Sequence, residues 1–67
     1  MESFGERLKR LREERGMTQE ELADRLDIAR SLLARYENGM RMPTALTVRQ
    51  MRDILGTSCD YLLTGEG

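Results

Sequence analysis

Apolar residues recur in this chain only at helical spacing, in five short segments, and nowhere alternate with polar ones as in a half-buried strand. That pattern confines the chain to an all-α fold before any other property is weighed. Phe4, Leu8 and Leu11 form one stripe, Ser3 and Glu6 have capping-box spacing and Gly16 is a stop, which predicts a helix over about 4–15. Thr18 and Glu21 open a second over about 19–26, with Leu22, Ala23 and Leu26 inward and Asp27 at its exit, where a left-handed backbone suits Asp. A third runs over about 30–37, with Ala29, Leu33 and Tyr36 on one side and Asn38-Gly39 at its end. Pro43 breaks the chain, Thr44 caps a fourth helix over about 45–55 with Val48, Met51 and Leu55 inward, and Gly56 ends it. Ser58 caps a short fifth, with Tyr61 and Leu62 inward. Met17, Met40, Met42 and Met51 read as gap-fillers in the core and Cys59 as a small packing residue.

The link between the second and third helices is about three or four residues, too short for them to lie side by side, so they cross steeply. With 67 residues, the expectation is one compact five-helix domain over 1–67, near the lower limit for a self-sufficient core and without room for a separate sensor or catalytic domain. No apolar run is long enough to span a bilayer, and the first ten residues lack the apolar stretch of a signal peptide. A single cysteine cannot form an internal disulfide, which fits a reducing, cytoplasmic setting. The chain has no histidine, so the usual general base at neutral pH and the common zinc constellations are missing, and no phosphate-cradling glycine loop occurs. The expectation is therefore no enzyme, no metal, no cofactor and no small-molecule ligand.

Charge sets the remaining possibilities. The net charge is −1 and the sequence pI about 5.4, against the basic balance usual for nucleic-acid partners. Its distribution is uneven, however. Residues 13–27 carry six acids and two arginines, whereas residues 30–52 carry Arg30, Arg35, Arg41, Arg49 and Arg52 against Glu37 alone. A polyanion responds to the local field rather than to the sum. On a wheel of the third helix, Arg30, Ser31, Ala34, Arg35 and Asn38 gather opposite the apolar side. That face is either a solvated surface or a reading surface. The arginines of the first helix read as solvated or paired with acids such as Glu13 and Glu14.

The segments TQEELA, RYENG and DYLLTG, in this order and spacing, resemble the helix-turn-helix of the Xre family, which includes the lambdoid phage repressors and Cro proteins. The resemblance covers nearly the whole chain. It implies a lambda-repressor-like five-helix DNA-binding domain whose helices 2 and 3 form the helix-turn-helix. Position by position, it implies that Arg30, Ser31, Ala34 and Arg35 face the bases, while Gln19, Asn38 and Arg41 approach the backbone. An arginine fork matches guanine O6 and N7, so at least one G·C pair per half-site is expected. The implied protein is a sequence-specific regulator of transcription acting on double-stranded DNA, a repressor on an inverted-repeat operator, although an activating controller has the same sequence features. Homodimerisation is expected through the end of the fourth helix and the fifth, around Thr57, Cys59, Asp60 and Leu63.

Several positions depart from the family pattern. Ala29 stands where Ser or Thr commonly caps the third helix, so that helix either frays or borrows a cap from Asp27. Leu32 either extends the core or touches a thymine methyl. The loop NGMRMP holds one arginine where relatives often carry several cations, and Arg52 and Thr57 replace apolar residues near the expected dimer surface. These departures keep open a second class of function, a helix-turn-helix module that binds another regulator and not DNA.

Overall fold

The computed structural model describes all residues, 1–67. Five helices follow one another: α1 (Phe4–Glu14), α2 (Gln19–Leu26), α3 (Arg30–Glu37), α4 (Ala45–Leu55) and α5 (Cys59–Thr64). Four of their N-termini are capped by the residues expected. Ser3, Thr18, Thr44 and Ser58 each accept a hydrogen bond from the backbone N–H three residues on. At α1 and α2 the bond is reciprocated by Glu6 and Glu21, which completes both capping boxes. The α1 helix stops one residue short of the expectation, because Arg15 leaves helical geometry (ψ 6°) before Gly16 turns left-handed at φ 68°. At the exit of α2, Asp27 takes φ 57° and ψ 45°, and no other non-glycine residue has a positive φ.

One cluster of twelve side chains joins all five helices: Leu8, Leu11, Met17, Leu22, Ala23, Leu26, Leu33, Tyr36, Val48, Met51, Leu55 and Leu62. Met17 and Met51 fill gaps in it as expected, but Met40 and Met42 do not. They are 75% and 58% exposed, on either side of Arg41 in the loop between α3 and α4, which Pro43 keeps from continuing as helix. Gly5 sets how closely α1 can approach the end of α3. A Cβ there would lie 2.7 Å from the Tyr36 carbonyl oxygen and nearer still to that of Glu37, so the backbones meet with no room for a side chain.

The arginines at 7, 10, 12 and 15 follow the paired alternative and not the solvated one: each meets an acid, Arg10 and Arg15 reaching Glu14 as expected. Arg7 and Arg12 fall on the same helical stripe as Leu8 and Leu11, and they are 4% and 6% exposed. Arg7 donates to the carbonyl oxygens of Leu62 and Glu2, both at 2.9 Å. Arg15 donates to the Leu55 carbonyl at 2.6 Å, and Arg10 bonds Glu2, Glu14 and the Tyr61 hydroxyl. The carbonyls of Leu55 and Leu62 lie in the last turns of α4 and α5, where C=O groups lack helical partners and the helix dipole favours cations. Cationic side chains of α1 and the turn after it thus close the ends of the two C-terminal helices.

Candidate nucleic-acid interface

The turn at Asp27 delivers α3 with its inner side anchored and its outer side free. Leu33 and Tyr36 are 0% and 5% exposed. Arg30, Ser31 and Arg35 are exposed on the opposite side, and Ala34 is half-buried among them. Leu32 is half-buried and packs against the core cluster, which favours the first of its two readings while leaving part of the side chain outside. Ala29 is exposed and does not belong to the buried side to which the wheel assigned it.

Ala29 is the N-cap of α3, with φ −67° and ψ 143°, and no side chain caps this helix. Asp27, which takes the left-handed exit of α2, does not supply the missing bond. The extended geometry at Ala29 is the one a capping serine adopts. Ala29→Ser is therefore expected to raise the unfolding free energy by about 0.5–2 kcal/mol in urea denaturation. An unchanged midpoint would show that another group already satisfies these N–H groups.

Beside the start of α3 lies an open polar groove lined by Arg12, Thr18, Gln19, Glu20, Glu21, Asp24 and Arg30. Gln19 is the first residue of α2, where the leading N–H groups have no intrahelical acceptor and favour an anion. Its carboxamide is not free: Nε2 donates to Glu37 Oε1 at 3.0 Å. The Thr18 backbone N–H donates to Glu21 and holds that carboxyl below the ordinary carboxylate range. Glu21 therefore stays anionic at the groove, where its charge opposes any anion.

Behind the groove, Arg12 and Glu37 form a two-pronged buried pair. Arg12 Nε donates to Glu37 Oε2 at 2.7 Å and Nη2 to Oε1 at 3.1 Å, while Nη1 donates to the Met17 carbonyl at 2.8 Å. The hydrogen bonds to Glu37 raise the Arg12 pKa further. From the sequence, Arg12 stands among the solvated or paired arginines and Glu37 has no role, although the signal for their pairing is present. Arg12 follows Leu8 by four positions and Glu37 follows Leu33 by four, so opposite charges stand on the inner faces of two helices.

Asn38 caps the C-terminus of α3 with its side chain exposed, and Arg41 is exposed in the following loop. The ion pairs of the chain employ Arg7, Arg10, Arg12, Arg15 and Arg52. Arg30, Arg35, Arg41 and Arg49 are exposed and belong to none of them. The uneven charge of the sequence thus becomes a division of labour in space: arginines of the first helix are consumed internally, those from α3 onward are mostly not.

Away from this face, Cys59 and Leu63 line an apolar groove of about 350 Å³ with Pro43, Ala45 and Val48. Leu63 is 46% exposed, Asp60 is exposed and Thr57 half-buried. Arg52 pairs with its neighbour Asp53 at 2.9 Å. No group of three or more potential ligands is arranged to hold a metal ion, and no helix is long and apolar enough to cross a membrane.

A family described as a helix-turn-helix domain matches residues 5–67. The chain is 44% identical over 62 residues to the SPbeta prophage-derived uncharacterized HTH-type transcriptional regulator YonR of Bacillus subtilis (strain 168), covering 92% of this chain and 57% of that protein. It spans about half the length of the curated relatives it matches, 57% and 54% in two of them. Among solved structures it resembles SinR, a master regulator for biofilm formation solved in complex with DNA, at a TM-score of 0.81 and 28% identity over 88% of this chain and 95% of that one. It also superposes on the P22 c2 repressor at a TM-score of 0.93, covering 98% of this chain and 100% of that one; at 23% identity this likeness speaks to the fold alone.

Proposed function

The chain belongs to the helix-turn-helix family of Xre type, whose members are DNA-binding regulators and not enzymes, and from that membership we propose that it binds double-stranded DNA sequence-specifically as a homodimer and represses transcription. One observation carries the reading: Arg30, Ser31 and Arg35 stand exposed on a helix anchored by Leu33 and Tyr36, and neither arginine is spent on an internal ion pair. These three residues, with Ala34 between them, read base edges in the major groove. Gln19, Asn38 and Arg41 hold the duplex backbone and set the register. Repression is the simplest mode for such a domain, because an occupied operator blocks transcription without a further contact to the transcription machinery. The setting is cytoplasmic, and the chain acts as one domain over 1–67 without cofactor or small-molecule ligand.

Two or three side chains cannot specify a site in a genome, so the reading requires two subunits. The groove lined by Cys59 and Leu63 supports that surface where the sequence suggested it, with Thr57 and Asp60 beside it. A selection of bound fragments from a random duplex pool should return an inverted repeat with half-site centres about 10 base pairs apart, each containing a G·C pair. In sedimentation equilibrium at tens of micromolar the wild type should be dimeric and Leu63→Glu monomeric. A monomeric wild type that binds an isolated half-site with full specificity would show the dimer to be wrong.

A second reading has its own support. The acids Glu20, Glu21 and Asp24 line the groove beside Gln19, and the pI is about 5.4, which suits a module that binds another regulator instead of DNA. Failure to be retained on bulk duplex DNA or heparin at low salt would favour it.

A further inference from the structure

Glu37, the last residue of α3, meets two other helices through one carboxylate. It is 5% exposed. Its Oε1 accepts from Arg12 Nη2 at 3.1 Å and from Gln19 Nε2 at 3.0 Å, and its Oε2 accepts from Arg12 Nε at 2.7 Å. The end of the reading helix is thereby tied to α1 and to the first residue of α2. A carboxamide nitrogen carries two hydrogens in one plane. With one committed to Glu37, the direction of the other is set. Gln19 meanwhile lines the open groove at the start of α2.

A carboxylate beside a phosphate site ought to repel the ligand. Here Arg12 pairs with both oxygens of Glu37, so the pair adds no net charge and offers Gln19 an acceptor fixed in space. We infer that Glu37 is a positioning residue, which holds the Gln19 carboxamide so that its second N–H faces a backbone phosphate of the duplex. The inference rests on Gln19 being a backbone contact. Two things follow. The contact costs little rotamer entropy, because Gln19 is ordered before the duplex arrives. The same side chain also fixes the phosphate relative to the end of α3, on matched and mismatched duplexes alike.

The test is a cycle read in binding. In the background Arg12→Met/Glu37→Leu both buried charges are gone, so no unpaired charge remains to unfold the chain. Affinity for a matched duplex is measured at fixed salt by fluorescence anisotropy, with and without Gln19→Ala. In the wild type Gln19→Ala should weaken binding about tenfold per contact, and in the background by less than about twofold. Equal losses in both would overturn the inference and leave Gln19 as a backbone contact. No loss in the wild type would overturn both. Where the background does not fold, as judged by circular dichroism, NMR of the wild-type Gln19 side-chain amide decides. The hydrogen bonded to Glu37 should remain protected from exchange when duplex is added; loss of that protection would mean that Gln19 releases Glu37 to bind, which overturns the inference.

Discussion

Glu37→Leu should lose about 3–5 kcal/mol of unfolding free energy, because it leaves the Arg12 guanidinium buried and unpaired. Arg12 is only 6% exposed and has no other carboxylate in its hydrogen-bond shell. A 67-residue domain commands on the order of 3–10 kcal/mol in total, so the variant should lose a large share of its stability and unfold at a much lower urea concentration. Arg12→Met should be as damaging, since it strands the carboxylate instead. The double variant Arg12→Met/Glu37→Leu should recover most of the loss, because apolar residues of similar size commonly replace a buried ion pair without cost. Urea denaturation of the four proteins gives the coupling energy directly. Additive losses would mean that the two side chains act separately, contrary to the bonds at 2.7 and 3.1 Å between them.

Replacing the reading-face arginines should change selectivity more than stability. Arg30→Ala and Arg35→Ala should each lose about 1–3 kcal/mol of discrimination per bidentate base contact, and a dimer would lose it twice. Both side chains are exposed and without intramolecular ion pairs, so unfolding midpoints should scarcely move. Gln19→Ala should instead weaken matched and mismatched sites alike, because phosphates carry no sequence information. Measured on both kinds of site, the opposite pattern would mean that the roles of α2 and α3 are exchanged.

Much of this architecture was legible in the sequence, because helices announce themselves through local chemistry. Ser3, Thr18, Thr44 and Ser58 act on the N–H three residues away, and Asp27 and Gly56 turn the chain where they stand, so the boundaries followed from neighbours. What escaped depended on partners distant in sequence. Arg12 finds Glu37 across 25 residues, and Arg7 finds the Leu62 carbonyl across 55. Reading those arginines as solvated or as paired with nearby acids therefore missed the buried links. Met40 and Met42 failed for the converse reason: an apolar side chain is no guide to burial in a loop, where no helical period places it on an inner face. Gly5 gave no local sign of its role, since the clash it avoids is with the backbone at the end of α3. At the candidate interface, Arg30, Ser31 and Arg35 stand exposed where the pattern placed them, but the tether on Gln19 could not be foreseen without Glu37.

The central claim is that an acidic chain presents a local cationic face to duplex DNA, and its salt dependence tests that most directly. Affinity for a selected operator fragment is measured by anisotropy across a series of salt concentrations. If each subunit neutralises about three phosphates, the logarithm of the association constant should fall against the logarithm of salt with a slope of about −5 for a dimer, at roughly 0.9 per phosphate. Binding that persists with a slope near zero would contradict the claim.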